Sequence, residues 1–385
     1  MSDVIIIGGG IVGASAAYHL ARNRLSVTLV DRADGGQATA AGAGIISPAT
    51  SVTPPTAYFP LAFKAVEHYP TLLANLAEDG ETATGYEVTG ALFVAISDEE
   101  AARLPAVQRL VEERQLAGVS HIGTVSRVGA AGARDLFPAL DHIEDAFHVA
   151  GAARVDGRLL RDALRRAARK RGATILHGDA ALTRDGAHGV HVTVDGRAVP
   201  ADAVVIAGGA WSNRLAETLG VALPVYPQRG QILHLDMGET ETSQWPIVLG
   251  FHAHYILTFP RHRVVAGATR EDDAGYDDRV TAGGVHEALG EALRVAPGLA
   301  SATLREVRVG LRPASPDKLP ILGAAAGLRD VYLATGHGAS GLQLGPYSGA
   351  LVADLLQGKA APLDLAPFAP ERFQPATFQP AAGLD

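Results

Sequence analysis

VIIIGGGIVGASAAYHLARNRLSVTLVDR, Val4 to Arg32, is the stretch that decides the fold. A short apolar run ends in glycines, an alanine-rich segment of helical pattern follows, and a second apolar run, Val27 to Val30, closes the unit. That is a strand–helix–strand layout. Gly8, Gly10 and Gly13 form a G-x-G-x-x-G, and Asp31 stands at the end of the second strand. Alone the motif is weak. Here it follows a strand, opens a helix and has an acid at the next strand end, the context a dinucleotide site needs. The glycines allow a tight turn, approach of a pyrophosphate to backbone, and close packing of helix on strand. Asp31 would accept from ribose hydroxyls, with Arg32 beside it. The competing reading is a glycine turn that packs and binds nothing. The motif does not separate NAD from FAD.

Composition narrows the classes. At 385 residues the chain has room for two domains or one elaborate one. Its net charge is −8 and no basic stripe stands out, which argues against a nucleic-acid surface. There is no cysteine, so disulfides, thiolate metal sites, cysteine nucleophiles and a cysteinyl cofactor link are excluded. No apolar run is long enough to span a bilayer. The start, MSDVIIIGGG, lacks a basic n-region and reads as a strand, not a signal peptide; the expected compartment is the cytoplasm.

Further along, residues 58–80 read as helix, and a strand texture begins with YEVTGALFVAI at 86–96. Residues 98–118 read as an amphipathic helix. VDGRLLRDALRRAARKRG, 155–172, reads as a turn and helix whose Arg/Lys row is solvated surface. Strands then dominate from 223 to 310, with one helix between. The chain ends in GLRPASPDKLPILG, a strand VYLATG, a bare loop GHGASGLQLGP, a helix over Tyr347–Lys359, and a Pro-rich tail expected to drape over the surface. The alternation predicts a discontinuous α/β plus β arrangement. A Rossmann-like cofactor domain takes 1–84, 146–222 and 306–385. An inserted antiparallel-sheet substrate domain takes 85–145 and 223–305.

Three small-residue stretches bear on the cofactor. QATAAGAGIISP holds Thr39, Ala41 and Gly42; AVVIAGGAWS holds Gly208 and Trp211; GHGASGLQLGP holds Gly336, His337, Gly338, Gly341, Leu342 and Gln343. The last sits at a helix entrance, where unpaired N–H groups carry roughly half a positive charge. An NAD enzyme would not need all three. A longer cofactor with a tricyclic ring would use them.

Taken in order, GGGIVGASAAYHL, TAAGAGIISP, VDGRLLRDAL, ADAVVIAGGAWS, PVYPQRGQI, YILTFPRHRVVAGATRED, GLRPASPDKLPILG and GHGASGLQLGP resemble the D-amino-acid oxidase superfamily. The glycine oxidase and D-amino-acid dehydrogenase branch looks nearest, over about residues 3 to 373. The resemblance implies tightly bound FAD, with the N–H groups of Gly341, Leu342 and Gln343 toward the N1–C2=O edge of the flavin. It implies that Arg312 binds a substrate carboxylate; the competing reading pairs Arg312 with an acid such as Asp317. Tyr255 matches a tyrosine that faces substrate in glycine oxidases, against a plain core tyrosine. His337 would tune the flavin or guide a proton. His252 and His254 share a strand face but lack a third ligand, so no metal is expected. Three positions depart from the pattern. Ala339 stands where glycine oxidases often carry arginine, so a second basic contact is missing. Thr39 stands where covalent relatives have histidine, so FAD should be non-covalent. Asp31 stands where glutamate is more usual.

The implied reaction is oxidation of a small amino acid (glycine, a D-amino acid or a secondary amino acid). Hydride leaves Cα for flavin N5, and the imine hydrolyses to a 2-oxo acid. Electrons then pass to oxygen, or to a quinone or carrier protein. A 2-hydroxy-acid dehydrogenase on the same scaffold and a non-catalytic flavoprotein assembly factor or subunit are the alternatives. A homo-oligomer is left open.

Overall fold

The computed structural model describes residues 3–51, 54–117 and 119–373. Its first layer is a six-stranded sheet in the order Ile321–Ala324, Val331–Thr335, Ala203–Ile206, Asp3–Ile7, Ser26–Asp31, Thr174–His177. All neighbours are parallel except the Ile321–Ala324 edge. Central parallel strands are covered on both faces, which is why they read as continuous apolar runs. Alternate residues serve the two faces. Val4, Ile6, Leu29 and Val205 pack on helices. Ile5, Ile7, Val30, Val204 and Ile206 pack under a three-stranded meander, 180–199.

Four helices matter for the site: α1 (Ile11–Arg22), α2 (Tyr58–Glu78), α3 (Gly157–Lys170) and α4 (Gly341–Leu356). α1 and α4 cross closely. A Cβ on Gly349 would lie 2.6 Å from the Val12 carbonyl oxygen and 2.7 Å from the Ala16 nitrogen.

The second layer is an eight-stranded sheet in the order Thr303–Ala314, Tyr226–Asp236, Arg263–Gly267, Tyr255–Phe259, Ile247–Leu249, Ala91–Ala95, Asp145–Val149, Val125–Arg127. It is antiparallel apart from one parallel pair, Ile247–Leu249 with Ala91–Ala95. The α/β plus β class is what the structure shows, but the expected boundaries shift. Thr303–Ala314 belongs wholly to the eight-stranded sheet, so residues 306–314 leave the cofactor domain, as does most of Asp145–Val149. Proline normally ends a central strand; Pro313 is tolerated because Thr303–Ala314 lies at the sheet edge.

Helix α4 also starts earlier than its expected Tyr347, so Pro346 lies inside it. A helical proline leaves the carbonyl four residues back without its N–H partner. Here the Tyr69 hydroxyl of α2 donates to that carbonyl, of Leu342, and the Ser15 hydroxyl donates to the Pro346 carbonyl at 2.6 Å.

The basic row of α3 is not loose surface. Arg165 pairs with Asp31 at 3.0 Å, Arg166 and Lys170 pair with Glu81, and Arg171 just beyond pairs with Asp79. Nor does the tail only drape: Phe368 is buried, and Arg372 pairs with Asp317 at 2.7 Å. The end of the tail, 374–385, lies outside the described residues. Among those described, no helix is long and apolar enough to cross a membrane.

His234 and His337 are buried and His19 and His68 half-buried, all four as neutral rings. Burial pushes His19 and His234 down to about 3, and His68 and His337 down to about 4. In the unfolded chain each takes a proton near the ordinary value of about 6.5. The unfolded state therefore binds more protons as pH drops below that point, and stability falls with it. The urea midpoint should be lower at pH 5 than at pH 7.5, a window above most carboxylate titration. An equal midpoint at both pH values contradicts this reading.

Candidate active site

The C-terminal ends of the parallel strands open into a cavity of about 420 Å³. Such crevices at strand ends are where open α/β sheets take ligands. Two helices point their N-termini at it. Gly10 caps α1 and Ser340 caps α4; neither cap side chain accepts from an N–H of its own helix, the Ser340 hydroxyl accepting from Tyr58 instead, and neither first turn has an acid. Within α1 the Ile11 N–H is taken by the Thr39 hydroxyl at 2.9 Å, delivered from a different segment. Within α4 the first N–H groups, of Gly341, Leu342 and Gln343, have no partner inside their own helix. Both positive helix ends therefore meet the same space.

The other predicted cofactor residues assemble here, with two exceptions. Gly8, Gly10, Asp31, Arg32, Thr39, Ala41, Gly42, Gly208, Trp211, Gly338, Gly341, Leu342 and Gln343 all line the cavity. Gly13 and Gly336 do not. Gly13 is packing: a Cβ there would lie 1.9 Å from the Gly8 carbonyl oxygen. Gly336 sits against Ile321 with φ +74. Gly8 has φ +108, and a Cβ there would lie 2.3 Å from the Ala207 carbonyl oxygen, so nothing but hydrogen fits between turn and strand.

Partners modify several expectations. The Asp31 carboxylate is already shared by Arg165 and the Ala33 N–H. Arg32 is held by Asp34 at 2.8 Å and Asp179 at 3.1 Å. The Gln343 side chain is spent on structure: its carbonyl accepts from the Ser47 N–H at 3.0 Å and its amide donates to the Tyr58 hydroxyl.

Arg312, Tyr255 and His337 line the same cavity. Arg312 comes from the edge strand, and its guanidinium lies flat over Gly230 of the neighbouring Tyr226–Asp236 strand. A Cβ on Gly230 would be 2.4 Å from its Nη2. Nη1 donates to the Thr269 carbonyl at 2.9 Å and to the Gln228 side-chain oxygen at 3.3 Å. Among the described residues no carboxylate lies within ion-pair distance, and Asp317 is occupied by Arg372. The pairing with Asp317 is thereby excluded. Burial lowers the Arg312 guanidinium from its ordinary value and raises the Tyr255 phenol beside it. His337 is buried, and its Nε2 is 2.9 Å from the Ser348 hydroxyl. Its depressed value, about 4, keeps it uncharged at neutral pH.

His252 and His254 lie apart from this cavity. His252 sits between Glu100 and Glu291, and His254 faces Glu287. Among the described residues no group of three or more such side chains could hold a metal.

The sequence reading missed Arg270 and Gly230, which also line the cavity. Arg270 is one of many arginines, carried by a loop after a strand. Only the folded chain reveals what it faces. Gly230 had a usable signal, a glycine inside a strand pattern, which marks close approach of another group.

A long cavity with two uncapped helix ends, a glycine turn and an acid at the second strand suits an anionic dinucleotide. Comparison with known proteins settles which. Residues 3–355 match the DAO family of FAD dependent oxidoreductases. The chain belongs to this family. An iminodiacetate oxidase from Chelativorans sp. has a crystal structure that is 42% identical, with a TM-score of 0.92 over 95% of this chain and 98% of that one. Glycine oxidase from Geobacillus kaustophilus is 30% identical, with a TM-score of 0.85 over 96% of this chain and 98% of that one. An uncharacterised oxidoreductase of Bacillus subtilis is 43% identical over 96% of this chain and 99% of its own length. The cofactor of this oxidoreductase is FAD. The residues present fit it without a covalent link: there is no cysteine, and the Thr39 hydroxyl is spent on α1.

Gly8→Ala should therefore yield protein without flavin colour. Gly238→Ala controls for backbone strain: Gly238 has φ +65 but nothing within 4 Å of a Cβ. It should stay yellow. A folded Gly8→Ala protein with the wild-type flavin spectrum contradicts the cradle.

Proposed function

We propose that this flavoenzyme oxidises the C–N bond of a small amino acid. The observation that carries the reading is Arg312: a half-buried guanidinium without a carboxylate within ion-pair distance, in the cofactor cavity, beside a tyrosine hydroxyl. A buried cation without a counter-ion is costly unless a ligand brings one. A substrate carboxylate does so, and a guanidinium holds it by two parallel hydrogen bonds. Tyr255 donates a further one. This grip fixes Cα, and positioning of that kind supplies much of the catalytic effect.

Bound FAD supplies the acceptor for the hydride that leaves Cα with two electrons. The glycine turn and α1 would hold its pyrophosphate, Asp31 a ribose, and the α4 N-terminus the electron-rich edge of its ring. The substrate must enter with a neutral amine, whose lone pair closes the C=N bond as hydride departs. Water then adds to the imine and releases a 2-oxo acid and an amine. No side-chain base is needed, which agrees with the lining: its acids, Asp31, Asp34 and Asp179, lie with Arg32, and His337, pushed down to about 4 by burial, is a weak proton acceptor. The relatives named glycine oxidase and iminodiacetate oxidase supply the first two substrates to try. Oxygen and a quinone or carrier protein are both candidate acceptors.

The test is anaerobic mixing of the yellow protein with glycine, sarcosine, D-alanine, D-proline, iminodiacetate or lactate. At least one amino acid should bleach the flavin, and lactate should not. Bleaching by lactate alone assigns a hydroxy-acid enzyme. No bleaching by any of them, in protein that dithionite does reduce, contradicts the proposal.

Arg312→Leu should keep FAD yet lower kcat/KM by about a hundredfold or more. Gly230→Ala pushes the guanidinium off its strand and should cost about tenfold with FAD retained. Unchanged kinetics in both variants contradict the role given to Arg312.

A further inference from the structure

Arg312 has company. Arg270, in the loop after the Arg263–Gly267 strand, lines the same cavity and is exposed. Short links join the two. Arg312 donates to the carbonyl of Thr269, the residue before Arg270. Arg270 donates through Nη1 to the carbonyl of Ala253, two residues before Tyr255, at 3.0 Å. Tyr255 feels the positive charge of both.

The nearby acids are spent elsewhere. Glu271 and Asp277 pair with Arg229, at 2.6 Å and 2.9 Å; Asp272 accepts from Gln228 and acts on Arg312 only from beyond ion-pair distance. Among the described residues no carboxylate is within ion-pair distance of Arg270 or Arg312. A guanidinium has five N–H donors, and Arg270 spends one on a backbone carbonyl. The site thus presents two cations: one half-buried, one exposed and anchored. A single carboxylate offsets one of them. A solvated surface arginine would need neither the anchor nor a place in the cavity wall.

We propose that Arg270 is a second carboxylate receptor and that the preferred substrate is a small amine bearing two carboxylates. Arg312 holds the carboxylate on the carbon that is oxidised; Arg270 holds the other. The second basic contact that Ala339 fails to supply comes instead from a different loop. Two placements of the second carboxylate share this chemistry: on the other arm of a secondary amine, as in iminodiacetate, or on the carbon side chain, as in aspartate. For iminodiacetate, hydride leaves one CH₂ for FAD and water splits the imine, giving glyoxylate and glycine. The inference rests on the amine-oxidation reading for its chemistry but not for its binding step.

The probe is diglycolate, the ether counterpart of iminodiacetate, which has no amine to oxidise. Its dissociation constant is read from the shift of the flavin spectrum and compared with that of methoxyacetate, which has one carboxylate. The wild-type holoprotein should bind diglycolate about tenfold or more tighter. That ratio should collapse toward one in Arg270→Leu and partly survive in Arg270→Lys. Equal affinities in the wild type, or a ratio that persists in Arg270→Leu, overturn the proposal. Anaerobic reduction then separates the two placements: iminodiacetate against sarcosine, and D-aspartate against D-alanine. If diglycolate is selected but no amine bleaches the flavin, dicarboxylate recognition stands and the amine reading falls. If amines bleach the flavin with no preference for the dicarboxylic member of either pair, the reverse holds.

Discussion

The contact on which the rest depends is the crossing of α1 and α4. Gly345 and Gly349 bring α4 onto Ile11, Val12 and Ala16 of α1 with no side chain between. That closeness sets two helix N-termini side by side over the ends of the parallel strands. Each carries unpaired N–H groups and about half a positive charge. Neither has its own capping side chain or an acid in its first turn. Two like helix ends in one cavity repel unless negative charge enters, and an anionic dinucleotide provides it. The family's cofactor, FAD, is thus the counterpart of a packing decision made by glycines outside the cavity.

The substrate end answers the same kind of problem with side chains. The eight-stranded sheet brings Tyr255 and two arginines, Arg312 and Arg270, to the cavity, and among the described residues no carboxylate comes within ion-pair distance of either guanidinium. Backbone carbonyls hold both guanidiniums, but a carbonyl is a dipole and not a counter-ion. Gly230 lets Arg312 lie flat against its neighbouring strand and so fixes where a carboxylate must sit. We read cofactor and substrate as recognised by one rule: fixed positive groups, without a paired counter-ion among the described residues, facing a shared space.

What was legible in the sequence was local. The glycine turn, the strand before it, the helix after it and Asp31 all lie within one βαβ unit, so their spacing announced their geometry. What was not legible depends on contacts between distant segments. GHGASGLQLGP reads as a loop because of Pro346 and its glycines; the helix nevertheless begins at Gly341, within it, and Tyr69, far back in the chain, donates to the carbonyl that the proline orphans. A boundary at 305/306 cuts Thr303–Ala314 because nothing local marks its pairing along its length with Tyr226–Asp236, a strand far back in the chain. The basic row of α3 looked like solvated surface because its acids, Asp31, Asp79 and Glu81, lie far away in sequence. Arg270 left no periodic trace; only folding brings its loop to the cavity that holds Arg312.

The most direct measurement is the FAD dissociation constant of Gly349→Ala apoprotein, from flavin fluorescence, beside that of the wild type. Gly349 does not line the cavity, but a methyl there meets backbone of α1 and must spread the two helices. The account predicts a folded protein, by circular dichroism, whose FAD affinity is weaker by about tenfold or more. A folded Gly349→Ala protein with wild-type FAD affinity would show that the convergence of the two helix ends is not what holds the cofactor.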